Sequence, residues 1–239
     1  MKAMLLAAGL GTRLKPWTDH HPKALAILNG KSLLQRNIEY LQQAGILDVL
    51  VNIHHFPDQL LEAIEKNKGW GSKISISDET AEVLETGGGL KKAEPYFEAE
   101  EDFLLMNVDI LTDMPLTDFI HTHKAKRNLA TLAVSKRKSS RYFLFDEQTG
   151  LLSGWGNDQT GEQKISREVA LPLKRAFSGI HCINTAIFPY ITKTGKFSIV
   201  ELYLTLSASH PIGYYDHSGS KFMDVGKPEN LHLATEIFH

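Results

Sequence analysis

The chain has 239 residues, 42% of them hydrophobic, which is enough to bury one core or one core with a small appendage. Its 26 basic and 28 acidic residues leave a formal net charge of -2, which argues against a surface built for the backbone of nucleic acid but not against a small anionic ligand. Cys182 is the only cysteine, which excludes an intramolecular disulfide and a cysteine metal cluster and fits a reducing, cytoplasmic setting.

The apolar residues 1–8 stop at Gly9, too short a run for a secretory leader, and no stretch has the length to span a bilayer. Within that start, residues 2–7 read as a buried strand. Residues 32–44 read as a helix: Ser32 and Gln35 have capping-box spacing, and Leu33, Leu34, Ile38 and Leu41 share a face. A second strand is expected at 48–53, a helix at 57–66, an alternating third strand at 73–77 and a helix at 88–97. Residues 103–106 are continuously apolar, as in strands buried on both faces of a parallel sheet. A helix at 115–126 and a strand at 130–134 complete an alternation that implies an α/β domain with a largely parallel sheet.

The texture changes after about residue 135. Residues 142–146, a turn at 147–150 and residues 151–155 read as a hairpin. The polar, charged stretch 157–174 reads as a mobile loop. A strand at 176–183, a helix at 198–208, strands at 212–215 and 222–225 and a helix at 228–238 follow. Phe177, Phe188 and Phe222 read as core. Neither a repeat nor a linker interrupts the chain, so one domain over 1–239 is expected.

The first strand runs into Ala8-Gly9-Leu10-Gly11-Thr12-Arg13-Leu14. Glycines let backbone approach a ligand closely, consecutive free N–H groups form an anion site, and Arg13 adds a fork for phosphate. The carboxyl end of a strand is where open α/β sheets bind ligands. On these residues alone a tight strand-to-helix turn is an alternative. Leu14 stands where a dinucleotide fingerprint needs its third glycine, and the Walker pattern is absent. Asp109 follows the apolar strand 103–106, and Asp224 stands at another strand end. Carboxylates there need a partner or a cation, and two on one ion suit Mg²⁺. An Asx turn at Asp109 and a cap at Asp224 are the alternatives.

Residues 6–16, then Thr18, then Pro22-Lys23-Ala24-Leu25, resemble the signature of sugar-phosphate nucleotidyltransferases, Gly-x-Gly-Thr-Arg-Leu-x-Pro with a Thr and then Pro-Lys-x-Leu. The resemblance spans nearly the whole chain and is densest over 5–25, 84–90, 103–109 and 222–231. It implies a three-layer Rossmann-like, mixed, mostly parallel sheet, with a nucleotide-binding part of about 1–135 and a sugar-binding part of about 136–239. It implies that Ala8, Gly9, Gly11, Thr12, Arg13, Lys23 and Asn107 contact the nucleotide, that Asp109 and Asp224 hold Mg²⁺, and that Arg13, Lys23 and Asp109 are catalytic. Leu84-Glu85-Thr86-Gly87-Gly88-Gly89 looks like the branch of N-acetylmuramate 1-phosphate uridylyltransferases and mannose-1-phosphate guanylyltransferase-like proteins, which puts Gly87 and the 78–79 region near the base. Asp146, Gly179 and Glu201 are implied on the sugar side. Asp146 is equally explained as a hairpin-turn residue, and Ser198-x-x-Glu201 as a capping box.

Two departures stand out. Val108 replaces a usual glycine before Asp109. The family's Glu-Lys-Pro segment is missing, with residues 152–157 in its place, so Lys164, Lys174 or Arg175 is expected to supply its cation. His20, His21, His54, His55, His121 and His123 lack metal-ligand spacing and read as surface or loop histidines. The expected activity is Mg²⁺-dependent transfer from a nucleoside triphosphate, UTP first, to a sugar 1-phosphate such as N-acetylmuramate 1-phosphate, with no nucleic acid or membrane partner and no indication of oligomeric state. Guanylyl or cytidylyl transfer to another sugar, a non-catalytic nucleotide-sugar sensor, and a dinucleotide oxidoreductase are the alternatives.

Overall fold

The computed structural model describes residues 1–238. In its first half lie β1 (Ala3–Leu6), β2 (Ile27–Leu28), β3 (Lys31–Ser32), α1 (Leu33–Gln43), β4 (Asp48–Ile53), α2 (Pro57–Lys66), β5 (Lys73–Asp78), α3 (Glu85–Lys92), α4 (Glu94–Phe97), β6 (Asp102–Asn107), β7 (Ile110–Thr112) and α5 (Leu116–Lys126). The remainder contains β8 (Ala130–Ser135), β9 (Arg141–Asp146), β10 (Leu152–Asn157), β11 (Glu162–Ile165), β12 (Pro172–Asn184), α6 (Ile199–Ser207), β13 (Ile212–Asp216), β14 (Phe222–Asp224) and α7 (Pro228–Ile237).

Ten strands form one mixed sheet. Its parallel part runs β5-β4-β1-β6, and β6 then pairs antiparallel with the long β12. From β12 the sheet continues antiparallel in two directions, to β8 and its parallel neighbour β13, and to the β9-β10-β11 meander. Because β6 and β8 both oppose β12, they run the same way, and their carboxyl ends share an edge with those of β1 and β4. The apolar runs of the central strands are continuous because alternate residues serve two cores. Met4, Leu50, Phe103 and Leu105 face the core covered by α3, α4 and α6. Ala3, Leu5, Val49, Val51, Leu104 and Met106 face the core covered by α1, α2 and α5. This is the expected three-layer α/β architecture. A small third core, including Leu28, Leu111, Val225 and Ala234, joins the β2–β3 and β7–β14 ribbons to α7.

Most elements match the sequence reading within a residue or two, and Ser32 caps α1 by accepting from the Gln35 amide at 3.1 Å. Three expectations need correction. The helix expected at 88–97 begins earlier, at Glu85, and breaks before Pro95, which sits in the first turn of α4. The stretch expected as a mobile loop contains β11 and the start of β12, and Asn157 closes β10. β12 is 13 residues long. Among the described residues no helix is long and apolar enough to cross a membrane.

Candidate active site

The loop after β1 is bent by glycine and braced from below. Gly11 has φ +62, in the left-handed region where a Cβ is penalised. A Cβ there would lie 2.9 Å from the Thr18 methyl and 3.1 Å from the Lys23 Cβ. The Gly11 carbonyl accepts from the Thr18 hydroxyl at 2.9 Å and the Leu14 amide at 2.8 Å, which tucks residues 12–14 into one 3₁₀ turn. Gly9, Leu10, Thr12 and Arg13 are left exposed on the lip of a cavity of about 580 Å³. The Ala8 amide is not open to a ligand: with the Ala7 amide it donates to Asn52 Oδ1, at 3.1 and 2.6 Å.

The cavity floor is made where two chain segments cross. Lys23 Nζ donates to Asp109 Oδ2 in an ion pair that is largely shielded from solvent. Asn107, Val108 and Asp109 line the same cavity. Val108 stands in place of the expected glycine without strain, because its φ is not positive and its side chain is buried in the α1-side core. Its carbonyl is held by Asn37 Nδ2 at 2.8 Å, which fixes the turn that presents Asp109.

Asp224 reaches this turn through β14. In the β7–β14 pairing Asp224 lies opposite Ile110, and the Val225 amide donates to the Asp109 carbonyl at 2.9 Å. The two acidic residues, 115 positions apart in the chain, therefore occupy adjoining backbone. Asp224 Oδ1 accepts from the Gly226 amide at 2.7 Å, and the Arg13 guanidinium packs where a Gly226 Cβ would project. The donor set is two carboxylates with no third acidic, histidine or cysteine ligand among the described residues. That chemistry fits a hard cation that takes its other ligands from water and phosphate.

The far wall depends on a buried carboxylate. Asn52 Nδ2 donates to Glu79 Oε1 at 2.8 Å, and Glu79 Oε2 accepts from the Leu84 amide at 3.1 Å. Glu79 is 2% exposed, so it orders the 79–84 segment from within. Val83, Glu85, Thr86 and Ser198 complete the wall. Gly87 is not part of it. The three glycines lie inside α3, fully covered, and the Gly87 amide donates to the Phe197 carbonyl at 2.9 Å. A Cβ on Gly87 or Gly88 would run into Phe197 or the Gly195 carbonyl, so the triplet lets α3 press against residues 195–197 rather than exposing amides.

The implied sugar-side residues are spread apart. Asp146 caps the β9–β10 turn, accepting from the Gln148 amide at 3.1 Å and the Thr149 hydroxyl at 2.7 Å; the Thr149 bond holds its carboxyl below the usual range. Glu201 pairs with Lys193 at 2.7 Å on the surface and is likewise lowered by that bond. Ser198 caps α6 through the Val200 amide, without help from the Glu201 side chain. Gly179 has φ +73, and a Cβ there would meet the Ile110 side chain at 2.8 Å and Asn107 Nδ2 at 3.0 Å. It makes room for protein next to the site. The three expected replacement cations are engaged elsewhere: Lys164 with Glu162, Lys174 with Asp158 at 2.6 Å, and Arg175 with Asp216 at 3.0 Å.

His123 corrects the surface reading. It is 1% exposed in α5, between Thr131 Oγ1 at 2.8 Å and Asp102 Oδ1 at 3.1 Å; burial lowers its pKa, with Asp102 opposing. His55 and His54 hold the carbonyls of Thr18 and Glu79, at 2.9 and 2.7 Å. Phe188 is core as expected, whereas Phe177 and Phe222 are half-buried. Sequence reasoning missed Asn52 and Asn37. Like Asp109, Asn52 is a polar residue near the end of an apolar strand.

Fold and site together define an open α/β protein with a glycine-bent loop after its first strand, beside an ion-paired lysine and two adjoining carboxylates. Residues 2–146 match the family model described as Nucleotidyl transferase, more than half of the chain, and the protein belongs to that family. A mannose-1-phosphate guanyltransferase from Yarrowia lipolytica is 28% identical over 245 residues, covering 100% of this chain and 64% of that protein. One from Schizosaccharomyces pombe is 27% identical, with the same coverage. The chain thus spans about 64% of the length of these curated relatives. Among solved structures, HddC from Yersinia pseudotuberculosis complexed with GMP-PN superimposes with a TM-score of 0.78 at 23% identity, covering 100% of this chain and 99% of HddC. A putative glucose-1-phosphate thymidylyltransferase from Bacillus anthracis gives 0.83 at 16%, covering 99% and 94%.

Proposed function

We propose that the protein is a divalent-metal-dependent sugar 1-phosphate nucleotidyltransferase. The observation that carries this reading is the β7–β14 pairing, which sets Asp224 beside Asp109 next to Lys23 and the glycine loop. A phosphate oxygen of the sugar 1-phosphate attacks the α-phosphorus of the triphosphate. The bond from that phosphorus to the oxygen bridging toward the β-phosphate breaks, and pyrophosphate leaves with the electron pair. No protein nucleophile is needed, because the attacking group is already an anion.

The protein contributes positioning and charge, which dominate such transfers. The amides of residues 9–13 and the Arg13 guanidinium receive the departing pyrophosphate. Lys23 exchanges its pairing with Asp109 for the phosphates. Asp109 and Asp224 would hold Mg²⁺, which when bound neutralises and orients phosphate oxygens. Intact Arg13, Lys23, Asp109 and Asp224 favour a catalyst over a non-catalytic sensor.

For the substrates, the names of the relatives and the GMP-PN complex of HddC support GTP and a mannose-type sugar 1-phosphate ahead of UTP and N-acetylmuramate 1-phosphate. The test is a matrix of nucleoside triphosphates against sugar 1-phosphates, with and without Mg²⁺, read as released pyrophosphate. Release that needs both substrates and Mg²⁺ is expected. Silence across the whole matrix would remove the assignment.

A further inference from the structure

We propose that Arg137 holds the phosphate of the acceptor sugar, in the role for which the sequence offers no Glu-Lys-Pro lysine. The inference rests on the transferase reading above and adds a residue to it. Arg137 lies two positions beyond the carboxyl end of β8, on the same sheet edge as Asn107 and Asp109. It is tied there at both ends of its guanidinium environment. Its Nη2 donates to the Phe177 carbonyl, and its guanidinium carbon lies 4.7 Å from the centroid of the Phe222 ring. Phe177 is two residues from Gly179, which packs against Asn107 Nδ2.

The period of a strand gives this placement its meaning. Residues 222 and 224 fall on one face of the three-residue β14, and Gly226 follows in the turn closed by Asp224 Oδ1. Arg137 covers Phe222, Arg13 packs at Gly226, and Asp224 stands between them. Asp224 is also the carboxylate whose charge opposes the lowering of the Arg137 pKa by its crowded surroundings. The segment thus presents guanidinium, carboxylate and guanidinium in sequence. An in-line displacement puts attacker and leaving group on opposite sides of the phosphorus, and this arrangement offers a cation to each.

The competing cations each start from an ion pair, as Lys23 does, and Lys174 lines the same cavity as Arg137. Lys164, Lys174 and Arg175 each pair with a carboxylate, whereas Arg137 forms no ion pair within 4.0 Å among the described residues. A cavity of about 630 Å³ opens beside it, lined also by Tyr142 and Lys174, with room for the sugar ring. A fork on a rigid carbonyl and an aromatic face suits a phosphate better than a free lysine does.

The test uses Arg137→Met, which keeps the apolar stem over Phe222 and removes the charge, and Arg137→Lys. A panel of sugar 1-phosphates, and separately pyrophosphate, is titrated calorimetrically into wild type and both variants with Mg²⁺. Arg137→Met is expected to weaken sugar 1-phosphate binding ~10- to 100-fold, as loss of a charged hydrogen bond does. Pyrophosphate binding is expected to stay unchanged, the melting temperature to fall by no more than a few degrees for the lost Phe177 hydrogen bond, and Arg137→Lys to recover part of the loss. Unchanged sugar-phosphate binding in Arg137→Met, an equal loss for pyrophosphate, or a wild type that binds no member of the panel would overturn the assignment. The outcomes separate the two proposals. A wild type that releases no pyrophosphate yet binds sugar phosphate through Arg137 sinks the transferase reading alone. An active wild type whose KM for sugar phosphate ignores Arg137→Met sinks only this one.

Discussion

Gly11 answers two demands at once: a left-handed backbone and a clear path for Lys23. Gly11→Ala meets neither. The left-handed conformation costs about 1–2 kcal/mol for a residue with a Cβ. The new methyl would also push on Thr18 and on the Lys23 Cβ, and so on the ion pair with Asp109. The expected result is a melting temperature lowered by several degrees together with loss of the stabilisation that a nucleoside triphosphate gives wild type. A variant with wild-type melting and a full nucleotide-induced shift would refute the steric argument. Arg13 behaves oppositely, because it is exposed on the lip and packs nothing into a core. Arg13→Ala should leave melting unchanged and lower turnover ~100-fold, the scale of one lost charge-stabilising donor; equal turnover would remove its role. These residues were legible because they stand at strand ends in a dense pattern of fixed spacing. Asn52 and Asn37 were not, since the backbone groups they hold lie 45 and 71 positions away in the chain. Only the pairing of β1 with β4, and of α1 with the β6–β7 turn, reveals what they do.

In α3 the triple glycine has a packing role that the sequence did not reveal. The resemblance over residues 84–89 puts Gly87 near the base. The structure spends the three glycines on contact between α3 and residues 195–197, and a substitution tests that packing. On helix propensity alone, Gly88→Ala should stabilise by up to about 1 kcal/mol. The obstacle, however, is the Gly195 carbonyl, which is backbone and cannot rotate away. Overpacking of about 1–3 kcal/mol should win. A lower urea midpoint is expected, and a higher one would show that residues 195–197 yield. Other elements escaped the sequence for a related reason. All four residues of β11 are exposed, so its strand pairing leaves no alternation of burial to read. The first residues of β12 are Pro172, Leu173, Lys174 and Arg175, whose partners on β9 come from a hairpin that precedes the loop. Elements with a clear burial pattern, such as the amphipathic α1 and the doubly buried β6, declared themselves; the exposed β11 and the exposed start of β12 did not.

Across the whole molecule, alternation of strands and helices gave the α/β class, but the order of the strands followed from contacts no local pattern encodes. The same holds for the histidines. His123, His181 and His217 are buried around β8 and β12, the strands that join the parallel half of the sheet to the rest. Burial lowers the pKa of all three, and that of His181 falls to about 3. The folded protein therefore holds His181 neutral where the unfolded chain, with a pKa near 6.5, binds a proton. The stabilising difference is fully present above that value and is lost as pH falls from about 6.5 toward about 3. Between pH 7.5 and 5.5 this single group should remove about 1.4 kcal/mol of stability, one pKa unit of linkage. His181→Gln keeps an acceptor for the Tyr203 hydroxyl, which lies 3.0 Å from His181 Nδ1, and carries no titratable proton. Urea unfolding of the variant should show a pH dependence smaller by about that amount, even if its stability at pH 7.5 is lower. An undiminished dependence would mean that His123, His217 or the carboxylates govern the acid limb. The comparison matters for the site as well. Arg137 follows β8, and Phe177 lies where the β8–β12 register shifts, so on the proposed assignment acid that loosens this joint should weaken sugar 1-phosphate binding before triphosphate binding, as calorimetry at the two pH values would read.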